Sequence, residues 1–268
     1  MSRISQLFER LRREDRRGLI AYLTAGDPTP ADTPRLVAAL ERGGADLIEL
    51  GVPFSDPVAD GPMIQRASDR ALAAGTTLPK VLEIAAQIRS RSEIPLLLFS
   101  YMNPLLRYGF DRLATDAVKA GIDGALITDL SVEEAGDSVP RLRAAGLDTV
   151  FLAAPTSPER RLKLVAEYSS GFVYLVSRTG VTGERDQLSG SVGPLVAAMR
   201  RATSLPVAVG FGISKPEHAA EAGRLADAIV VGSAFVRVIE QYGASPKLEE
   251  ELESLARQLK QPLERVPA

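Results

Sequence analysis

Residues 47–62, Leu-Ile-Glu-Leu-Gly-Val-Pro-Phe-Ser-Asp-Pro-Val-Ala-Asp-Gly-Pro, place carboxylates in two very different settings. Glu49 lies inside an apolar run, whereas Asp56 and Asp60 lie in a loop punctuated by Pro53, Pro57, Gly61 and Pro62. An acid in a buried strand must be paired or neutralised, because desolvation penalises its charged form. An apolar setting raises a carboxyl pKa towards neutrality, where the group can both give and take a proton. Asp60, in a more polar loop, is expected to stay ionised and to stabilise positive charge beside it. The rival reading of Glu49 is a structural acid bridged to an Arg of a neighbouring strand.

A second set of residues suits an anion. Gly183, Gly210, Gly212 and Gly232, with Ser214 and Ser233 at expected helix N-termini, offer close-approaching N–H groups and hydroxyls to a phosphate. A small phosphomonoester is the expected ligand, the alternative being glycines that only permit tight turns. Arg178–Leu188 mixes Gly180, Gly183, Thr179 and Thr182 with Glu184, Arg185 and Asp186, has no apolar period, and reads as an active-site lid.

Positioning these groups requires a scaffold. Apolar, β-branched runs recur at Leu19–Thr24, Asp46–Leu50, Pro95–Phe99, Gly124–Thr128, Thr149–Leu152, Phe172–Val176, Pro206–Val209 and Ala228–Val231, with helical patterns between them. Alternating strands and helices imply parallel pairing, and this number of units in 268 residues implies a single (β/α)8 barrel, an α/β fold of the TIM type. In such a barrel the chemistry sits at the C-terminal strand ends, where Glu49 and the glycine loops fall. Gly43-Gly44-Ala45-Asp46, Ala120-Gly121-Ile122-Asp123 and Ala145-Gly146-Leu147-Asp148 each precede a strand, so each is read as a helix cap leading into the barrel. The segment Pro30–Arg42 has an inward stripe of Leu36, Val37, Ala39 and Leu40. Ile4–Arg13 and Pro246–Leu263 read as extra helices, the first plugging the barrel bottom with Leu7, Phe8 and Leu11. No linker divides the chain, so residues 1–268 are read as one catalytic domain.

Composition narrows the chemistry. A net charge of -2 gives no basic footprint for nucleic acid, and no apolar run approaches a membrane span of about 18 residues. The N-terminus is charged and amphipathic rather than a signal sequence, so a cytoplasmic protein is expected. With no Cys and one His, a metal site built on thiolate or imidazole is excluded, and no metal is assigned; a carboxylate-only Mg²⁺ site stays open. His218 is read as a solvated surface residue without a role.

The stretch at 47–62 resembles the signature of the tryptophan synthase alpha chain family in residue type and spacing. Similar matches are Thr24-Ala25-Gly26-Asp27-Pro28, Tyr101-Met102-Asn103-Pro104, Ala154-Pro155-Thr156-Ser157-Pro158, Arg178-Thr179-Gly180-Val181-Thr182-Gly183, Gly210-Phe211-Gly212-Ile213-Ser214 and Val231-Gly232-Ser233-Ala234. The resemblance implies a lyase that cleaves indole-3-glycerol phosphate to indole and glyceraldehyde 3-phosphate. Glu49 becomes the proton shuttle of a retro-aldol step, and Asp60 the acceptor for the indole N–H. A Schiff-base lysine has no part, since the substrate offers no carbonyl and the strand segments carry no Lys.

By the same resemblance Tyr174 lies near the cleaved bond, the alternative being a structural Tyr that fills the barrel. Tyr22, Phe99, Tyr101 and Leu126, on or just beyond strands at the same rim, are candidate walls of an apolar indole pocket, the alternative being ordinary barrel core. Thr182, Gly183, Phe211, Gly212, Gly232 and Ser233 complete the substrate site. The family also implies a pyridoxal-phosphate beta chain in an alpha2beta2 assembly, with Pro53, Phe54, Asp56, Asn103 and Pro104 at the contact and no cofactor in this chain. Tyr22 stands where the family often has Phe, and Ser131 where many members have Pro. A free-standing indole-releasing lyase, or a regulatory barrel that mainly activates a beta chain, are the rival functions.

Overall fold

The apolar runs become strands that all pair in parallel. A computed structural model describes residues 2–176, 192–210 and 212–264. Among them the strands are β1 (Gly18–Thr24), β2 (Leu47–Gly51), β3 (Leu96–Ser100), β4 (Gly124–Ile127), β5 (Asp148–Val150), β6 (Leu152–Ala153), β7 (Val173–Val176), β8 (Val207–Gly210) and β9 (Ala228–Val231). Their order is β5-β4-β3-β2-β1-β9-β8-β7-β6. The two ends of that order, β5 and β6, are successive pieces of one extended segment, so the sheet closes into a (β/α)8 barrel whose fifth strand is split.

The split falls at Phe151, inside what the sequence presents as one strand. Its N–H goes to Ser169 Oγ at 3.3 Å, while Thr149 N–H donates to Ser170 Oγ at 3.0 Å. Two serine hydroxyls thus take the place of ladder carbonyls.

Helices α1 (Arg3–Arg13), α2 (Thr33–Arg42), α3 (Pro62–Ala73), α4 (Leu78–Arg89), α5 (Met102–Tyr108), α6 (Phe110–Lys119), α7 (Ser138–Ala144), α8 (Glu159–Tyr168), α9 (Val192–Ala202), α10 (Pro216–Leu225), α11 (Ser233–Tyr242) and α12 (Leu248–Lys260) surround the sheet. The stripe of α2 is buried at Leu36, Val37, Ala39 and Leu40. Helix α1 covers the barrel bottom with Ile4, Leu7, Phe8 and Leu11, and the Phe8 and Phe172 rings lie 5.5 Å apart. Alternation along the strands sends Ile20, Leu47, Leu97, Leu126, Val150, Ala208 and Val230 into the same interior.

The recurrent Gly-x-Asp phrase does more than cap helices. Gly44, Gly121 and Gly146 hold φ of +101°, +84° and +95°, as a left-handed cap requires. Two of the aspartates that follow clamp strand starts: Asp46 Oδ2 accepts Leu19 N–H at 2.8 Å and Asp123 Oδ2 accepts Leu96 N–H at 2.9 Å. Asp227, which no such glycine precedes, does the same for Val207 N–H at 2.8 Å. A cation neutralises each: Lys260 on Asp46 at 2.7 Å, Arg89 on Asp123 at 2.9 Å and Arg200 on Asp227 at 3.4 Å. This ring of clamps fixes the barrel at the end opposite the strand C-termini and leaves the other rim free for chemistry.

One helix-face expectation fails. His218, in the first turn of α10, is buried at 8% exposure instead of solvated, because that turn packs inward with Ala219 and Ala222.

Candidate active site

The C-terminal rim gathers residues from different strands in register. Tyr22 of β1 lies opposite Glu49 of β2, Gly51 opposite Phe99 of β3, and Phe99 opposite Leu126 of β4. Period-two alternation sends Tyr22 and Glu49 to the inside, while Leu23 and Leu50 join the outer core. Gly51 makes room for this arrangement, since a Cβ there would lie 2.4 Å from the Tyr22 hydroxyl. Gly210 does the same for Tyr174: a Cβ would sit 2.4 Å from its hydroxyl. These glycines serve close approach by tyrosines, a need the sequence reading of Gly210 as a phosphate donor did not include.

Glu49 is more deeply enclosed than a half-buried strand end, at 1% exposure. Burial pushes its carboxyl up to about 8, and Oε1 has no hydrogen-bond partner among the described residues. Among the described residues no arginine bridges it, so the described geometry gives no support to the reading of Glu49 as a bridged structural acid. Asp60 is also buried, at 5% exposure, contrary to the expectation of a polar setting. Burial raises it to about 6, opposed by the Tyr101 hydroxyl, which donates to Asp60 Oδ2 at 3.0 Å. The two acids therefore keep the separated behaviour read from the sequence: near pH 7 Asp60 is mainly ionised and Glu49 mainly protonated.

Tyr101 was expected as an apolar wall and does something else. Its oxygen accepts the Ala59 N–H at 3.0 Å while its hydrogen goes to Asp60. It thereby holds both the main chain and the carboxylate of the loop after β2. The Phe54 ring lies against it at 5.3 Å. Gln65, in the first turn of α3, adds a bond from Nε2 to the Asp60 carbonyl at 2.8 Å. Sequence spacing could not pair Tyr101 with Asp60, since they meet only when β3 closes beside β2.

Tyr22 and Phe99 form an edge-to-face pair at 5.1 Å, and the Tyr22 hydroxyl bonds Thr24 Oγ1 at 3.2 Å. Tyr174 is half-buried on β7; burial first, then the Glu49 and Asp60 charges, raise its hydroxyl well above the usual range. Leu126 is fully enclosed in the barrel interior and packs beneath this group. Gly212 has φ of +63°, and the N-cap of α11 is Gly232, which has no side chain to cap the first N–H groups. Thr182, Gly183 and Phe211, with the segment Arg178–Leu188, lie outside the described residues.

At the rim, Asp56 and Asn103 are exposed, Phe54 and Pro104 are half-buried, and Pro53 is buried, so Pro53 offers no surface of its own. The stretch after Tyr101 is helix α5; Pro104 falls within its first turn, where a missing N–H costs nothing. Missed by the sequence reading are Val58, 78% exposed, and Leu106, 61% exposed, on the loop and helix that frame Tyr101. Among the described residues no group of three His, Asp or Glu could hold a metal ion.

A closed parallel barrel with a neutral and an ionised carboxyl at the C-terminal rim defines the class: an acid–base barrel enzyme. Residues 8–264 match the family model described as tryptophan synthase alpha chain. A tryptophan synthase alpha chain of Solibacter usitatus is 69% identical over 260 residues, covering 97% of each chain. The crystal structure of tryptophan synthase subunit alpha from Legionella pneumophila superposes with a TM-score of 0.89 at 36% identity, covering 98% of each chain. A tryptophan synthase complex from Pyrococcus furiosus gives a TM-score of 0.85 at 39% identity, over 91% of this chain and 98% of that one. The chain belongs to the tryptophan synthase alpha chain family.

Proposed function

We propose that the chain cleaves indole-3-glycerol phosphate to indole and glyceraldehyde 3-phosphate as the alpha subunit of a tryptophan synthase. The observation that carries the chemistry is Glu49, a protonated carboxyl at a strand end with one oxygen unpartnered among the described residues. Its proton goes to indole C3. Positive charge develops on the ring nitrogen, where ionised Asp60 accepts the N–H hydrogen bond and stabilises it. The bond between C3 and the side-chain carbon then breaks, its electron pair restoring the aromatic ring. The hydroxyl on that carbon returns its proton to the Glu49 carboxylate and becomes the aldehyde of the product. No water, oxidant or metal is consumed, and the enzyme ends in its starting protonation state.

Tyr22 and Phe99 flank the ring in this reading, with Leu126 as the floor and Tyr174 beside the bond that breaks. The phosphate sits at the N-terminus of α11, with Gly212, Gly232 and Ser233; Thr182, Gly183 and Phe211, outside the described residues, belong to the same site by the family resemblance alone. The chain needs no cofactor of its own; pyridoxal phosphate belongs on the beta chain. That partner docks on the loop 53–60 and α5, using Phe54, Asp56, Asn103 and Pro104 together with Val58 and Leu106, in an alpha2beta2 assembly. The exposed apolar side chains of Val58 and Leu106 support this placement. A cytoplasmic location fits the same reading, and among the described residues no helix is long and apolar enough to cross a membrane.

The test is Glu49→Gln. It should abolish indole formation while leaving binding of glycerol 3-phosphate, a probe of the phosphate site, intact. Near-normal turnover would remove Glu49 from the mechanism.

A further inference from the structure

Asp27, in the loop after β1, is fully buried, and both of its carboxylate oxygens are gripped by Arg70 of α3, from Nε and Nη2 at 2.8 Å each. The remaining nitrogen, Arg70 Nη1, donates to Glu240 Oε1 of α11 at 2.9 Å. One turn earlier on α3, Arg66 forks onto the same carboxylate, from Nε at 2.7 Å and Nη2 at 3.0 Å. Two arginines and two acids thus alternate from the buried loop to the surface. Planar forks of this kind fix orientation as well as distance.

What lies at the ends of the two helices gives this network its meaning. Helix α3 starts directly after Asp60, and its Gln65 holds the Asp60 carbonyl at 2.8 Å. Helix α11 starts at Ser233, with Gly232 as its N-cap. The residues that tie α3 to α11 therefore tie the mount of Asp60 to the mount of the phosphate. We propose that Arg70 is a positioning residue that sets the separation between Asp60 and the Gly232–Ser233 anchor by holding Asp27 and Glu240 at once. This rests on the cleavage reaction proposed above. Without Arg70 the two groups keep their chemistry and lose their spacing, so a substrate pinned by its phosphate no longer brings its ring nitrogen to Asp60.

Arg70→Lys keeps the charge and removes the fork, and Glu240→Gln, on the outer side of the network, is the milder variant to use where Arg70→Lys does not fold. Indole formation from indole-3-glycerol phosphate and affinity for glycerol 3-phosphate are measured for the full chain with a beta chain, in wild-type and Asp60→Asn backgrounds. A misplacement on the ångström scale predicts a kcat lower by about tenfold for Arg70→Lys, with a lesser loss for Glu240→Gln. The Kd for glycerol 3-phosphate, which touches only the anchor, stays within about twofold. In the Asp60→Asn background the effect of Arg70→Lys shrinks to less than about twofold, because it passes through Asp60. An unchanged kcat in both variants, or an equal loss in both backgrounds, assigns the network to stability alone and overturns the proposal. If the wild type forms no indole, the cleavage reading falls and takes this inference with it; if only the variants fail to differ, this inference falls alone.

Discussion

Removing one oxygen, by Tyr101→Phe, should narrow the pH window in which the enzyme works. The productive state needs Asp60 ionised and Glu49 protonated, so kcat/KM rises with pH through about 6 and falls through about 8. Tyr101 stabilises the ionised form of Asp60 through a 3.0 Å hydrogen bond. A hydrogen bond to a charged group contributes about 1.5–3 kcal/mol, or about one to two pKa units. Its loss carries the acid limb from about 6 towards roughly 7–8 while the alkaline limb stays in place. At pH 7 the ionised fraction of Asp60 drops from about 90% to between about 50% and 10%. The ring of Phe keeps the contact with Phe54, so the fold should hold. The assay is kcat/KM for indole-3-glycerol phosphate from pH 5 to about 10. An acid limb that stays put or moves down would refute the reasoning, because the hydroxyl would not be what keeps Asp60 charged.

Three further outcomes follow from the same geometry. The Glu49 carboxyl is raised from 4.5 to about 8, so the folded state holds its proton where the unfolded state has released it, and stability falls as pH rises between those values. Glu49→Gln removes that penalty: thermal melting should show no gain at pH 4.5 and a gain of up to roughly 7 °C at pH 8.5, the figure for about 4 kcal/mol before the cost of a buried amide is subtracted; equal midpoints at both pH values would count against a strongly raised carboxyl. Gly210→Ala drives a Cβ to 2.4 Å from the Tyr174 hydroxyl and should cost about 1–3 kcal/mol in urea unfolding together with a large drop in kcat, part of the stability returning in Gly210→Ala/Tyr174→Phe. Val58→Asp and Leu106→Asp should leave the melting midpoint unchanged and weaken beta-chain stimulation at least about tenfold in a titration, since buried apolar anchors dominate interface energies.

The alternation of apolar runs with amphipathic helices made the barrel readable, and the Pro- and Gly-punctuated stretch after Glu49 marked its chemical rim. What the linear chain did not display depends on side chains from distant segments. The fifth strand breaks because Ser169 and Ser170, at the end of α8, take its N–H groups. Asp60 is enclosed because Tyr101, just past the end of β3, closes over it. The burial of His218 depends on which way the first turn of α10 faces. Pro104 reads as a loop signal, yet it lies in the first turn of a helix whose first N–H, that of Met102, is taken by Asp129 at 2.7 Å. Arg66 and Arg70 look like ordinary surface charges at helical spacing until Asp27 and Glu240 are seen between two helices.

The most direct test of the central claim is indole release from indole-3-glycerol phosphate by the purified chain, measured alone and with a cognate beta chain. Slow release that rises sharply on adding the partner is the predicted result. No release under either condition would contradict the lyase assignment and leave a barrel that only regulates its partner.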